Sequence, residues 1–190
     1  MALKYTNRRG QTYFLHQGTT KTGKPKYYFS LKPKGNLINV IPDGYEIYEN
    51  PNSQVYLRKI KPKLFSDREL ETVEQGIKQY SKVKNFIIDV KDKSIIIYLP
   101  DQDVDNLSDI LSELGGRDIS SRHIETLLTY GPMMRFLRRK DSKKFWVQRW
   151  CFRGSVDDWI DLAAGEDLES LVKKYAPHLG QESFYELYGF

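Results

Sequence analysis

Ser66 and Glu69 mark the place where the chain changes its hydrophobic rhythm, and that change sets the fold class. Before them the apolar residues come in short runs: Thr12 to His16, Lys26 to Leu31, Tyr45 to Glu49 and Gln54 to Lys59. Each run is rich in Tyr, Phe or β-branched residues and is bounded by Gly, Pro, Asn or Asp, which reads as a strand between turns. The segment from Gly18 to Pro25 is a hairpin loop, and Asn50-Pro51-Asn52-Ser53 has turn chemistry. Residues 1–10 read as a flexible basic arm. At Ser66 the pattern becomes helical. Ser66 and Glu69 have capping-box spacing, in which the hydroxyl accepts an N–H of the first turn and the carboxylate reaches back. Leu70, Val73, Ile77 and Tyr80 then share one helical face.

Beyond that helix the two rhythms alternate. Asn85 to Val90 and Lys93 to Leu99 are β-branched runs around a charged turn, hence a hairpin. Asp101 or Asp103 caps a second helix bearing Val104, Leu107, Leu111 and Leu114, which Gly115-Gly116 ends. A third helix is expected from Ser121 to Tyr130, stopped by Gly131-Pro132. Met133 to Arg139 and Lys144 to Phe152 form another hairpin. A last helix carries Leu168, Leu171, Val172 and Tyr175, Pro177 breaks it, and a short helical turn follows around Glu182 to Leu187. The expected fold is therefore α+β: a small N-terminal antiparallel β module, then an α-β-β-α core with an extra hairpin and a C-terminal helix. Lys61-Pro62-Lys63 is the expected boundary, which divides the chain into 1–63 and 64–190.

Charge follows a partition of its own. Residues 1–64 carry a net +9, 65–133 carry −5, 134–153 carry +7 and 154–190 carry −6. Blocks of this kind suit surfaces that meet polyanions, or segments that neutralise one another within the fold. Both basic blocks are interleaved with aromatics. Tyr27 and Tyr28 stand among Lys21, Lys24 and Lys26, with Arg8 and Arg9 upstream. Phe136, Phe145, Trp146 and Trp150 stand among Arg135, Arg138, Arg139, Lys143, Lys144 and Arg149. Cations neutralise phosphates while exposed rings stack on unpaired bases. The competing use of those rings is to fill the core of a small β module.

Several motifs come close to a known chemistry and miss it. Gly18-x-x-x-x-Gly23-Lys24 has most of a phosphate-binding loop, but Pro25 stands where a Ser or Thr must hold magnesium, and a strand follows instead of a helix. Asp101, Asp103 and Asp105 begin like a calcium loop, but Asn106 and Ser112 occupy its glycine and glutamate positions. Pro42, Gly44, Tyr45 and Pro51 resemble the opening of a WW domain, with Tyr45 where such domains carry tryptophan, and no proline-binding role is carried over. His16, His123, His178 and Cys151 show no ligand or nucleophile spacing, and Cys151 reads as a buried small hydrophobe. Asp89 with Lys91 and Lys93 is the arrangement of a metal-dependent nuclease, and equally of a polar hairpin turn. Asp157, Asp158 and Asp161 are a second carboxylate cluster of that kind, with Asp157 and Asp161 on one face if helical, and equally the capped, solvated first turn of a helix ahead of Trp159.

One cysteine, no apolar run near the ~20 residues that span a bilayer, and no h-region behind Met1 point to a cytoplasmic protein that needs no membrane. The compactness of the chain suggests a prokaryotic one. The leading expectation is a non-catalytic nucleic-acid-binding or accessory protein, without cofactor or metal. Arg8, Arg9, Lys21, Lys24, Lys26, Arg138, Arg139, Lys143 and Lys144 would meet phosphate, and Tyr27 and Tyr28 would offer stacking platforms. An interaction module for an acidic protein partner or a homodimer is the alternative. A nuclease using Asp89, Lys91 and Lys93 is the third.

Overall fold

A computed structural model describes residues 2–104, 107, 124, 126–139, 142–153 and 156–188. The fold is α+β, with three antiparallel sheets and, among the described residues, two α-helices. The chain divides into two compact units, Met1–Pro62 with Gln102–Thr129, and Lys63–Asp101 with Tyr130–Phe190. No helix among the described residues is long and apolar enough to cross a membrane.

In the first unit β1 (Lys4–Thr6), β2 (Thr12–Thr19) and β3 (Pro25–Ser30) form a three-stranded sheet. A second hairpin pairs β4 (Tyr45–Glu49) with β5 (Val55–Lys59). Leu15, Phe29 and Val55 are buried at its centre, and Leu3, Tyr5, Tyr13, Ile38, Ile47 and Leu57 pack around them. Alternation explains the choice: Leu15 and Phe29 lie directly opposite in the register and face the same side. The segment read as a flexible arm holds β1 instead. Buried Asn7 donates from Nδ2 to the Ser53 carbonyl at 2.7 Å, so the arm is fixed by a hydrogen bond that local sequence does not reveal. The near-phosphate loop is a turn closed by Thr20, whose N–H donates to the Lys24 carbonyl at 2.8 Å, and Pro25 opens β3.

The second unit is a five-stranded antiparallel sheet in the order β10-β9-β8-β7-β6. Its strands are β6 (Ile87–Lys91), β7 (Ser94–Pro100), β8 (Tyr130–Arg138), β9 (Phe145–Arg153) and β10 (Val156–Gly165). Helices α1 (Asp67–Tyr80) and α2 (Leu168–Tyr175) contribute Val73, Ile77, Leu168, Leu171 and Val172 to one buried core with Ile95, Ile97, Met134, Phe136 and Val147. The capping box at Ser66 is complete, with the Glu69 N–H donating to Ser66 Oγ and the Ser66 N–H to Glu69 Oε2. Asp167 caps α2 without that reciprocity, its carboxylate accepting from the Glu169 and Ser170 N–H groups. Two expectations for this unit fail. Gly131 and Pro132 sit inside β8 and do not end a helix; a register shift between Ile97 and Tyr98 accommodates the proline, which has no N–H to give the ladder. Asp157, Asp158 and Asp161 lie on a strand, because pairing along β9 outweighs their local preference for a helix start. Of the expected helix over 104–114 only residues 104 and 107 are described, both helical; of that over 121–130, residues 124, 126 and 127 are helical, 128 and 129 are not, and Tyr130 already opens β8.

Gly76 shows how closely α1 and α2 meet. A Cβ built there would stand 2.3 Å from Val172 Cγ1. Helix propensity alone makes Gly→Ala stabilising by about 1 kcal/mol. Overpacking against a stiff valine costs about 1–3 kcal/mol. Gly76→Ala is therefore expected to lower the urea midpoint, whereas the exposed control Glu74→Ala changes the unfolding free energy by less than about 0.5 kcal/mol.

Candidate nucleic-acid interface

The helices cover one face of the five-stranded sheet, and alternation sends every second residue to the other. Residues directly opposite in an antiparallel register share a face, so that second face can be read row by row. The middle row is Asp89, Ile96, Arg135, Gln148 and Asp161. Toward one end lie Lys91, Ser94, Leu137, Trp146 and Ala164. Toward the other, Ile87, Tyr98 and Pro132 align, and Trp150 faces Trp159.

This face holds a groove of about 540 Å³, lined by Lys91, Lys93, Tyr98, Arg135, Trp150 and Trp159 and floored by buried Ile96. The two tryptophans meet edge to face, with centroids 5.1 Å apart. The Arg135 guanidinium lies 4.3 Å over the Trp159 ring. Its Nε donates to Gln148 Oε1, and Gln148 Nε2 donates to Asp161 Oδ1 at 2.6 Å. Gln148 is only 6% exposed, so both ends of its amide are committed and the chain of hydrogen bonds is fixed in one direction. Burial pulls the Arg135 pKa down, and the nearby Asp158 and Asp161 charges only partly oppose it. Burial, helped by the Asp89 charge, raises the Tyr98 phenol, which stays protonated and able to donate at neutral pH.

Two turns bring cations to one end of the groove. Asp92 adopts a left-handed φ of 53° in the β6–β7 turn, flanked by exposed Lys91 and Lys93. The β8–β9 turn beside it carries exposed Arg139, Lys143 and Lys144, and the Arg138 N–H donates to the Lys93 carbonyl at 2.8 Å. Arg139 also lies 4.4 Å over the Trp146 ring, with Nη2 3.4 Å from Asp161 Oδ2.

The residues singled out from sequence divide into those engaged by other groups of the fold and those presented. Arg138 is held by the Glu69 carboxylate, the Leu64 carbonyl and the rings of Phe65 and Phe145. Arg8 pairs with Glu49 at 2.7 Å, and the Tyr5 hydroxyl donates to the same carboxylate at 3.0 Å. Arg9 donates to the Leu128 carbonyl at 2.6 Å. Tyr27 turns edge-on to Tyr45, whereas Tyr28 is 42% exposed and stacks on His16 with centroids 5.2 Å apart. Lys21, Lys24 and Lys26 are exposed around that hairpin. Asp89 stands on the open face beside Ile96, and among the described residues no three His, Cys, Asp or Glu side chains converge as metal ligands. Cys151 is buried, His16 Nε2 lies 3.0 Å from the Lys32 carbonyl, His178 Nδ1 lies 2.9 Å from Ser183 Oγ, and His123 lies outside the described residues. Sequence reasoning did not assign Tyr98, Arg135, Gln148, Trp150 and Trp159 to a site. The alternations Trp146-x-Gln148-x-Trp150 and Asp157-x-Trp159-x-Asp161 were the available signal.

Arg138 generates a stability prediction. Burial alone would raise the Glu69 pKa, but the Ser66 N–H, the Arg138 guanidinium and the Ser66 hydroxyl outweigh it and hold the carboxyl below its ordinary value of 4.5. A depressed folded pKa contributes stability that is present above the ordinary value and lost as pH falls through the folded one. Arg138→Ala should cost about 1–3 kcal/mol at neutral pH. In urea titrations across the acid range its deficit against the unaltered protein should shrink below the ordinary glutamate pKa. A deficit that stays constant there would count against the pairing. Comparison of the chain with protein-family models, curated proteins and solved structures finds no match.

Proposed function

We propose that the protein is a non-catalytic, cytoplasmic nucleic-acid-binding protein whose ligand is a single strand laid on the open face of the β6–β10 sheet. One observation supports the reading above the rest. Tyr98, Trp150 and Trp159 line the same groove as Arg135, while Lys91, Lys93, Lys143 and Lys144 gather at one end of that face. Rings and cations divide the work of holding a strand. Unstacked bases take the aromatic faces, and phosphates take the lysines with release of counterions. A duplex keeps its bases stacked and offers those rings nothing. In the first unit Tyr28, Lys21, Lys24 and Lys26 form a separate, smaller surface of the same kind.

Labelled single-stranded and duplex oligonucleotides of one sequence, titrated by fluorescence anisotropy, test this reading. The single strand should bind more tightly, quench tryptophan emission, and lose affinity steeply between about 50 and 200 mM salt. Trp159→Ala should weaken binding roughly 5- to 150-fold, the equivalent of about 1–3 kcal/mol for one stacked base. Lys91→Glu with Lys93→Glu should reduce the salt slope by about two phosphate contacts. No salt-dependent binding at micromolar protein, or equal affinity for the duplex, would sink the proposal.

A further inference from the structure

We infer, resting on the strand-binding reading above, that Arg135 reads a guanine base through its paired O6 and N7 acceptors. Three observations lead there. First, the guanidinium is oriented before any ligand arrives. Its Nε is engaged by Gln148, Gln148 is engaged by Asp161, and the Trp159 ring lies on one side of it. Second, no described residue accepts a hydrogen bond from its Nη1 or Nη2, although Arg135 lines the groove. A fixed planar fork with free N–H groups matches two acceptors side by side, as on a carboxylate, a phosphate or the major-groove edge of guanine. Third, the surroundings choose among those. Asp161 is joined to Arg135 through Gln148, Asp158 acts on it electrostatically, and Asp89 stands in the same row. An anionic ligand would meet these carboxylates, whereas a neutral base edge keeps the fork and avoids the repulsion. Phosphates are left to the lysines at the end of the face. Trp150 and Tyr98, in the same groove, supply apolar walls for the ring. Gln148 and Asp161 act as positioning residues, since they reach the ligand only through Arg135.

The test uses the full chain and thymidine strands that differ at one central base, so that guanine-rich structures do not form. The guanine strand should bind about 5- to 150-fold more tightly than the adenine, cytosine or all-thymidine strand. Replacing guanine by 7-deazaguanine, which lacks the N7 acceptor, should abolish most of that preference in the unaltered protein. That arm does not depend on the folding of any variant. Arg135→Lys keeps the charge but loses the fork, and should abolish the preference with the salt slope unchanged. Gln148→Met should weaken the preference in the same direction. Strands bound without base preference, a preference that survives 7-deazaguanine, or a salt slope reduced by about one in Arg135→Met would overturn the inference. All three leave strand binding itself standing, whereas absence of any strand binding would remove both.

Discussion

The alternation of side chains along β8 and β9 governs this molecule. Phe136 lies opposite Val147 and turns toward the helices; Arg135 lies opposite Gln148 and turns away. Because the period is two, burying the first pair forces the second onto the open face. A slip of one residue would drive Arg135 and Gln148 into the apolar core and expose Phe136 and Val147. The cost of that exchange pins the register, and the pinned register assembles the groove. The open face is thus a by-product of the same hydrophobic burial that holds α1 and α2 on the sheet.

That parity also sorts the basic residues of the second unit. Arg138 and Arg149 fall on the helix side, where each is taken up by structure. Arg138 joins the start of α1 to β8 through Glu69 and Leu64. Arg149, buried in β9, donates to the Leu187 carbonyl at 2.8 Å and lies 5.6 Å from the Tyr188 ring. Arg135 falls on the open side with its Nη groups free of described partners. The net +7 of residues 134–153 is therefore not a uniform basic patch. Part of it is internal, part surrounds the aromatic groove, and the turn lysines form its end.

Much of this was legible in the sequence. The rhythm change at Ser66 and Glu69, the β6–β7 and β8–β9 hairpins and the α2 face at Leu168, Leu171 and Val172 all depend on local patterns, and all are present. What failed locally was decided by partners distant in the chain. Lys4 to Thr6 became a strand because β2 was there to pair with it. Asp157 to Asp161 became a strand because β9 offered a register. The site suffered in the same way. Nothing near Arg135 in sequence reveals that Gln148 and Trp159 will meet it, or that Arg138, three residues on, will point the opposite way. Charge interleaved with rings singles out residues 134–153, but only the register says which of them share a face.

Crosslinking locates a bound strand most directly. A photoreactive single strand bearing 5-bromouridine would be irradiated with the full chain, and the adducts mapped by mass spectrometry. Adducts at Tyr98, Trp150 or Trp159 are the expected result. Adducts confined to the helix-covered side of the second unit, or none on β6 to β10, would contradict the account.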